Sequence, residues 1–319
     1  MLPRHAIPLL LLLAAADPVG AGECRALVVA GDPGQEAIWS TTFPRWADAW
    51  AALLAERGVT AAHLRVLRSP DRSGSATPAA AIPAENLASR AMVLKALADI
   101  ARDSTAADQV VVVLIGHGYQ SEGTSKLCLP GDDLSDRDLA QALTPLAAKQ
   151  VVVLDLAPDS VGVAKLVTGP GRAIVLANVK QSTPYFCEFL LLALKPRNVN
   201  LLDAFNAASL DTIHWYQNQF GKKDKVEITV NGRAYQEIFQ KVYPDKIMIR
   251  GLDDPQAAVN DIWQESAYEG RRVPVEVAGL EDDGDGVPST VFEVSKEPKP
   301  LTGETKDGAF SRGVIIGRP

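Results

Sequence analysis

Cysteine and histidine are scarce in this 319-residue chain, with three of the first and four of the second. Three cysteines (Cys24, Cys128 and Cys187) are an odd number and do not make a disulfide framework. One pair with a spare thiol stays open in an oxidising compartment. No Cys-x-x-Cys pair and no His/Cys spacing of the zinc kind occurs, which argues against a structural zinc site. Basic excess is missing too. The net charge is −7, and no basic cluster with interleaved aromatics occurs, so nucleic acid is set aside as a partner. Beyond the N-terminal stretch no apolar run is long enough to span a membrane, and there is no internal repeat. What is present is ordinary globular composition, 47% hydrophobic and 22% charged. A chain of this length buries a large core without disulfides.

The N-terminus has the shape of a secretory leader. Arg4 and His5 give a short basic start, Ile7 to Ala16 is apolar with leucine at every position from Leu9 to Leu13, and small residues follow at Gly20, Ala21 and Gly22. The run is too short for a transmembrane span. Residues 1–22 are therefore expected to be a signal peptide, and the mature protein to be secreted or periplasmic. The competing reading is a buried N-terminal helix. Cleavage near Ala21 to Glu23 leaves Cys24 close to the new terminus. Glu23 stands where lipoproteins carry a small residue before a lipidated Cys, which argues against lipidation.

From residue 23 to about 195 short apolar runs alternate with amphipathic stretches. Strands are expected at Arg25 to Ala30, Ala62 to Leu67, Gln109 to Ile115, Val151 to Leu154 and Arg172 to Ala177. Helices are expected at Pro44 to Arg57, Glu85 to Arg102, Ser135 to Ala148, Pro184 to Leu194 and Leu201 to Phe220. Ser135 is read as an N-cap, with Asp136 and Asp138 in the first turn. Ser69 to Ala81 reads as loop. This alternation predicts an α/β fold, a mostly parallel sheet with helices on both faces. Continuous apolar strands fit a sheet covered on both sides. Residues 23–220 are taken as this domain and 221–319 as a C-terminal extension of mixed structure. Within the extension, Val226 to Val230 is strand-like and Asn231-Gly232 is a hairpin signal. Leu252 to Asp285 is polar and hard to assign, and Glu293 to Asp307 reads as loop.

In open parallel sheets ligands sit at the carboxyl ends of strands. One such end carries Gly116-His117-Gly118. The next carries Asp155-Leu156-Ala157-Pro158-Asp159-Ser160. A His and then a nucleophile delivered by adjacent strand ends form a dyad of the cysteine-peptidase kind. His117 is present, and the nucleophile position holds Ala157.

Val110 to Gly118, Lys126 to Leu134 and Val151 to Asp155 together resemble the caspase-like clan of cysteine peptidases. Within it they are similar to the legumain-type branch and its bacterial secreted members. Val29-Ala30-Gly31-Asp32-Pro33 resembles that branch's first strand and turn. Glu281-Asp282-Asp283-Gly284-Asp285-Gly286 with the later Asp307-Gly308 resembles a late acidic segment of some members. The resemblance covers roughly residues 25 to 220, and the tail loosely. It implies a three-layer sandwich, with His117 as the catalytic His and Gly118 as a donor to the oxyanion. Asp155 falls on the acidic residue before the nucleophile, and Ala157 on the nucleophilic Cys itself. A thiolate attacks the peptide carbonyl while the His protonates the leaving amine, and alanine does neither. The expectation is a pseudo-peptidase that binds a peptide or protein ligand in the former substrate cleft.

The alternative is an active hydrolase using His117 with Ser160 from the same loop, or with another nucleophile. Cys128 and Cys187 read as core residues. Arg45 is a weak match to a basic residue in the substrate pocket, against an ordinary helix-start arginine. No cofactor is implied apart from a weak calcium candidate. Glu281 to Gly286 resembles the start of a calcium loop, with Asp283 and Asp285 as ligands. Position twelve of that loop is Phe292 rather than Glu, so a standard EF-hand does not fit. Oligomeric state is not legible.

Overall fold

The computed structural model describes residues 22–34, 37–70, 82–177, 185–224, 229–230, 233–234, 278–291, 300–304 and 307–318. All but the last residue of the expected leader lies outside them, as do most of the 69–81 loop and the 252–277 stretch. In chain order the elements begin with β1 (Cys24–Ala30), α1 (Ala37–Glu56), β2 (Leu64–Arg68), α2 (Arg90–Asp103) and β3 (Gln109–Ile115). A small sheet follows, of β4 (Gly118–Ser121), β5 (Thr124–Leu127) and β6 (Leu134–Ser135), leading into α3 (Asp136–Leu143). Then come β7 (Gln150–Asp155), α4 (Val161–Val167), β8 (Arg172–Leu176), α5 (Phe186–Ala193) and α6 (Leu201–Asp224). Last are the two-residue strands β9 (Thr229–Val230) and β10 (Arg233–Ala234), which pair across 231–232, and β11 (Gly279–Glu281).

The main sheet has the order β11-β8-β7-β3-β1-β2. Five strands are parallel, and β11 runs antiparallel on the β8 edge. Valine-rich strands suit this sheet because β-branched side chains pack well on a pleated surface. Every residue of β3 is buried. Val111, Val113 and Ile115 face one layer with Val152 and Leu154, under α1, α5 and α6. Val110, Val112 and Leu114 face the other with Val151 and Val153, under α2, α3 and α4. The protein is a three-layer α/β sandwich with a mostly parallel sheet.

Several bounds differ from expectation for local reasons. Helix α1 starts seven residues early and carries Pro44 inside it. The missing N–H costs a helical bond, and burial of Trp39, Phe43, Trp46 and Trp50 along one stripe of the helix offsets it. Helix α3 stops at Leu143 rather than Ala148: Thr144 still has helical backbone (φ −56°, ψ −44°), but Pro145 has no N–H with which to continue the ladder. Its start is as expected: Ser135 accepts from Asp138 N at 3.1 Å, and Asp138 returns the bond. Helix α2 starts at Arg90 with Ser89 as cap, and Glu85 lies in a separate 3-10 turn.

Part of the 221–319 region is woven into the same core. Strand β11 closes one sheet edge, and Val314 and Ile316 are buried in the α1/α5/α6 layer. The buried Gln109 side chain fastens this segment. Its Nε2 donates to Gln150 Oε1 at 2.8 Å and to the Ile315 carbonyl at 3.1 Å, and its Oε1 accepts from Gly317 N at 2.6 Å.

Deleting residues 314–319 removes two buried aliphatic side chains worth about 1.5–3 kcal/mol each and strands the Gln109 amide. Urea unfolding followed by tryptophan fluorescence is expected to show a loss of at least about 3 kcal/mol. An unchanged midpoint would mean that the segment is not part of the core.

Candidate functional site

The site is built where β1, β3 and β7 end side by side. Strand β3 pairs with β7 so that Leu114 faces Asp155, and Leu156 N continues the pairing by donating to Leu114 O at 2.8 Å. After β1, Gly31 N donates to Ile115 O at 2.7 Å, and Asp32 N to Cys128 O at 2.9 Å. A Cβ on Gly31 would lie 2.7 Å from that Cys128 carbonyl, so the turn needs glycine. Past β3 the chain passes through His117 directly into β4. Cys128 N donates to His117 O at 2.9 Å.

The structure brings Gly118 and Ala157 together. A Cβ placed on Gly118 would overlap the Pro158 carbonyl and lie 3.3 Å from the Ala157 methyl. The loop carrying His117 and the loop carrying position 157 are therefore in contact. Ala157 is buried, and what it presents there is a methyl. Beyond it, Asp159 takes a left-handed backbone (φ 56°), which Asp tolerates, and Ser160 leads into α4.

Sequence reasoning missed the setting of His117. Its half-buried ring packs edge-on to Phe43 (centroids 5.1 Å apart) and Trp39 (5.7 Å), both on α1. The two aromatics stand four residues apart, and that i, i+4 spacing was the available signal. Tyr185 lies against Trp39 and Trp215, extending the aromatic cluster.

Asp155 and Ser160 lie on the opposite side of the sheet, under α3 and α4. They share a small niche with Ser125, Asp136 and Ala157; its cavity of about 10 Å³ is about the size of one water. His117 does not line it. Asp136 Oδ2 accepts from Ser125 N at 3.0 Å, and Ser125 Oγ accepts from Gly162 N at 3.1 Å. Ser160 Oγ and Asp136 Oδ1 are buried without a hydrogen-bond partner. Ser160 is 2% exposed, and its niche is not lined by His117. Burial pushes the Asp155 carboxyl up to about 7. Neighbouring Asp136 adds to the shift, and the Ala157 N–H, bound at 3.2 Å, opposes it.

The cysteines are poor nucleophiles. The Cys128 thiol is pushed up to about 11 by burial and by Asp133 and Asp32, so it stays protonated near neutral pH. Cys187 is fully buried and accepts from Trp50 Nε1 at 3.4 Å. Burial pushes Cys24 up to about 12 at the far end of β1. Arg45 lies on α1, with its guanidinium 3.9 Å from Glu188 of α5, and Glu188 also accepts from Trp46. In the acidic segment one carboxylate oxygen from each of Glu281, Asp283 and Asp307 lies within 4.8 Å of the others, and Asp285 is not in that group. Among the described residues no helix is long and apolar enough to cross a membrane.

The chain is similar to the solved structure of the Drosophila initiator caspase Dronc at 11% identity and a TM-score of 0.40, covering 58% of this chain and 71% of that one. It is similar to caspase-1 from Spodoptera frugiperda at 11% identity and a TM-score of 0.37, covering 60% of this chain and 77% of that one. No protein-family model and no curated protein matches the sequence.

Two outcomes follow from this geometry. Folded Asp155 holds its proton up to about pH 7, against an ordinary value of 3.8. The native state therefore binds more protons than the unfolded state between those values, and stability falls as pH rises through that window. Asp155→Asn is expected to be more stable than wild type at pH 8 by about 2–4 kcal/mol, with the gap closing near pH 4. Parallel stability curves for the two proteins would refute this. Gly118→Ala drives a methyl into the Pro158 carbonyl and is expected to cost about 1–3 kcal/mol in the same unfolding assay. A neutral result would mean that the two loops separate easily.

Proposed function

We propose that the chain is a secreted, caspase-like pseudo-peptidase of the legumain type, which binds a peptide or protein segment without cutting it. The observation that carries this reading is the Ala157 methyl packed beside Gly118, where the resemblance calls for a thiol. The mechanism needs a thiolate there. The high thiol pKa of Cys128, the burial of Cys187 and the confinement of Ser160 to the α3/α4 niche all support it.

Binding is supported by an open strand edge next to His117. Strands β4 and β5 form a hairpin whose turn, Glu122-Gly123, has positive φ at both residues. Among the described residues β4 pairs with β5 alone. Since Cys128 N donates to His117 O, ladder alternation turns the amide and carbonyl of Gly118 and Gln120 away from β5. The Pro158 loop covers Gly118, while Gln120 lies on the exposed part of the edge. An extended peptide adds to such an edge through main-chain hydrogen bonds. Tyr119 steadies the hairpin: its hydroxyl donates to Asp133 at 2.8 Å, and Lys126 Nζ sits 5.7 Å from its ring.

The test is to incubate wild type and His117→Ala with a mixed peptide library, then measure binding of the retained peptides by fluorescence polarisation. Neither protein is expected to cleave. Wild type is expected to bind saturably, and Gln120→Pro about tenfold more weakly, because it loses one edge donor without breaking the ladder. Cleavage abolished by His117→Ala would overturn the reading in favour of a hydrolase. Binding unaffected by Gln120→Pro would remove β4 from it.

A further inference from the structure

The late acidic segment gathers three carboxylates, those of Glu281, Asp283 and Asp307. Glu281 closes β11 and is completely buried. Its Oε1 accepts from Thr168 Oγ1 at 2.5 Å, past the end of α4, and from Gly284 N at 2.8 Å. Its Oε2 is buried with no hydrogen-bond partner. Asp307, also completely buried, comes in from the other side of the loop. It accepts from Asp282 N (2.8 Å), Asp283 N (3.3 Å) and Ser289 N (2.9 Å). Asp283 is exposed and forms the mouth, so the cluster of three carboxylates opens to solvent there.

Two buried carboxylates and a third within 4.8 Å repel one another. Among the described residues no ion pair offsets them. The scaffold is nevertheless tied together firmly. Asp282 accepts from Gly308 N at 2.8 Å and from Ser311 N at 2.7 Å, which clamps the 307–311 segment onto the 281–284 loop. A buried carboxylate oxygen with no donor, facing two further carboxylates in a fixed frame, is the oxygen-rich environment that a hard divalent cation satisfies.

We propose that Glu281, Asp283 and Asp307 bind one calcium ion, with water completing the shell at the Asp283 mouth. The ion neutralises the buried pair and fastens β11 and the 307–311 segment to the sheet edge. Three carboxylates with one exposed ligand place the affinity in the weak extracellular range, roughly 0.1–1 mM. The site is separate from the strand-end loops and does not depend on how they function.

Calcium chloride is titrated by calorimetry into the full chain after chelator treatment and dialysis, beside magnesium chloride. Thermal unfolding is followed with and without 10 mM calcium. One calcium per chain and a rise of a few degrees in midpoint are expected. Asp283→Asn, which alters an exposed residue and keeps the fold, is expected to weaken binding about tenfold or more. Glu281→Gln is expected to abolish it while making the metal-free protein no less stable. No heat and no midpoint shift would overturn the proposal, as would equal binding by wild type and Asp283→Asn. Heat with magnesium alone would overturn the assignment to calcium.

Discussion

The register of β3 against β7 governs the carboxyl edge of this sheet. With Leu114 opposite Asp155, the two chains leave the sheet at the same height, and Gly118 has to pass beside Ala157 and Pro158. No side chain fits at Gly118 without displacing that loop. The pairing is held by Val110 to Val113 against Val151 to Leu154, buried on both faces, and a one-residue slip would send every side chain to the wrong layer. The same alternation sends His117 towards the aromatics of α1 and sends Asp155 and Ala157 towards α3 and α4.

That division has an electrostatic consequence. The α3/α4 side collects Asp136 and Asp155 in a space the size of one water, where a carboxylate is poorly solvated and a proton is retained. The α1 side offers His117 aromatic faces and edges instead. An imidazole and a buried acid thus sit on opposite sides of the sheet, with the Gly118–Ala157 contact between them. A hydroxyl on the acid side, Ser160, gains nothing from the imidazole on the other.

Much of this frame was legible in the sequence, because β1, β3 and β7 are continuous apolar runs with no competing pattern. The strand ends, and with them His117, Gly118 and Ala157, followed directly. Other features were hidden for physical reasons. Strands β4 to β6 are too short for periodicity to show, and their turn is Glu-Gly rather than Asn-Gly. Helix α4 has only seven residues. Pro44 looked like a helix start because its local cost is large, and the aromatic burial that outweighs it is a tertiary effect. The pairing of β11 with β8 spans about a hundred residues of sequence, and so does the contact of Glu281 with Thr168 at the end of α4. Asp136 read correctly as a first-turn acid of α3, but its closeness to Asp155 comes from the packing of α3 and α4 on the sheet.

The residues that the fold requires are not those that peptide hydrolysis requires. Gly31 and Gly118 are held by backbone contacts that any larger side chain would break, and the valine runs are held by burial. Position 157 needs only something small: its methyl fills the space beside Gly118 and completes the α3/α4 cluster. A nucleophile there can therefore be lost without disturbing the register, the His117 loop or the edge of β4. Under the function proposed above, a hydrolase that lost its thiol in this way keeps the exposed edge of β4 beside an imidazole. The binding proposed for β4 is compatible with that loss, since it draws on the strand's backbone, and the backbone does not depend on residue 157.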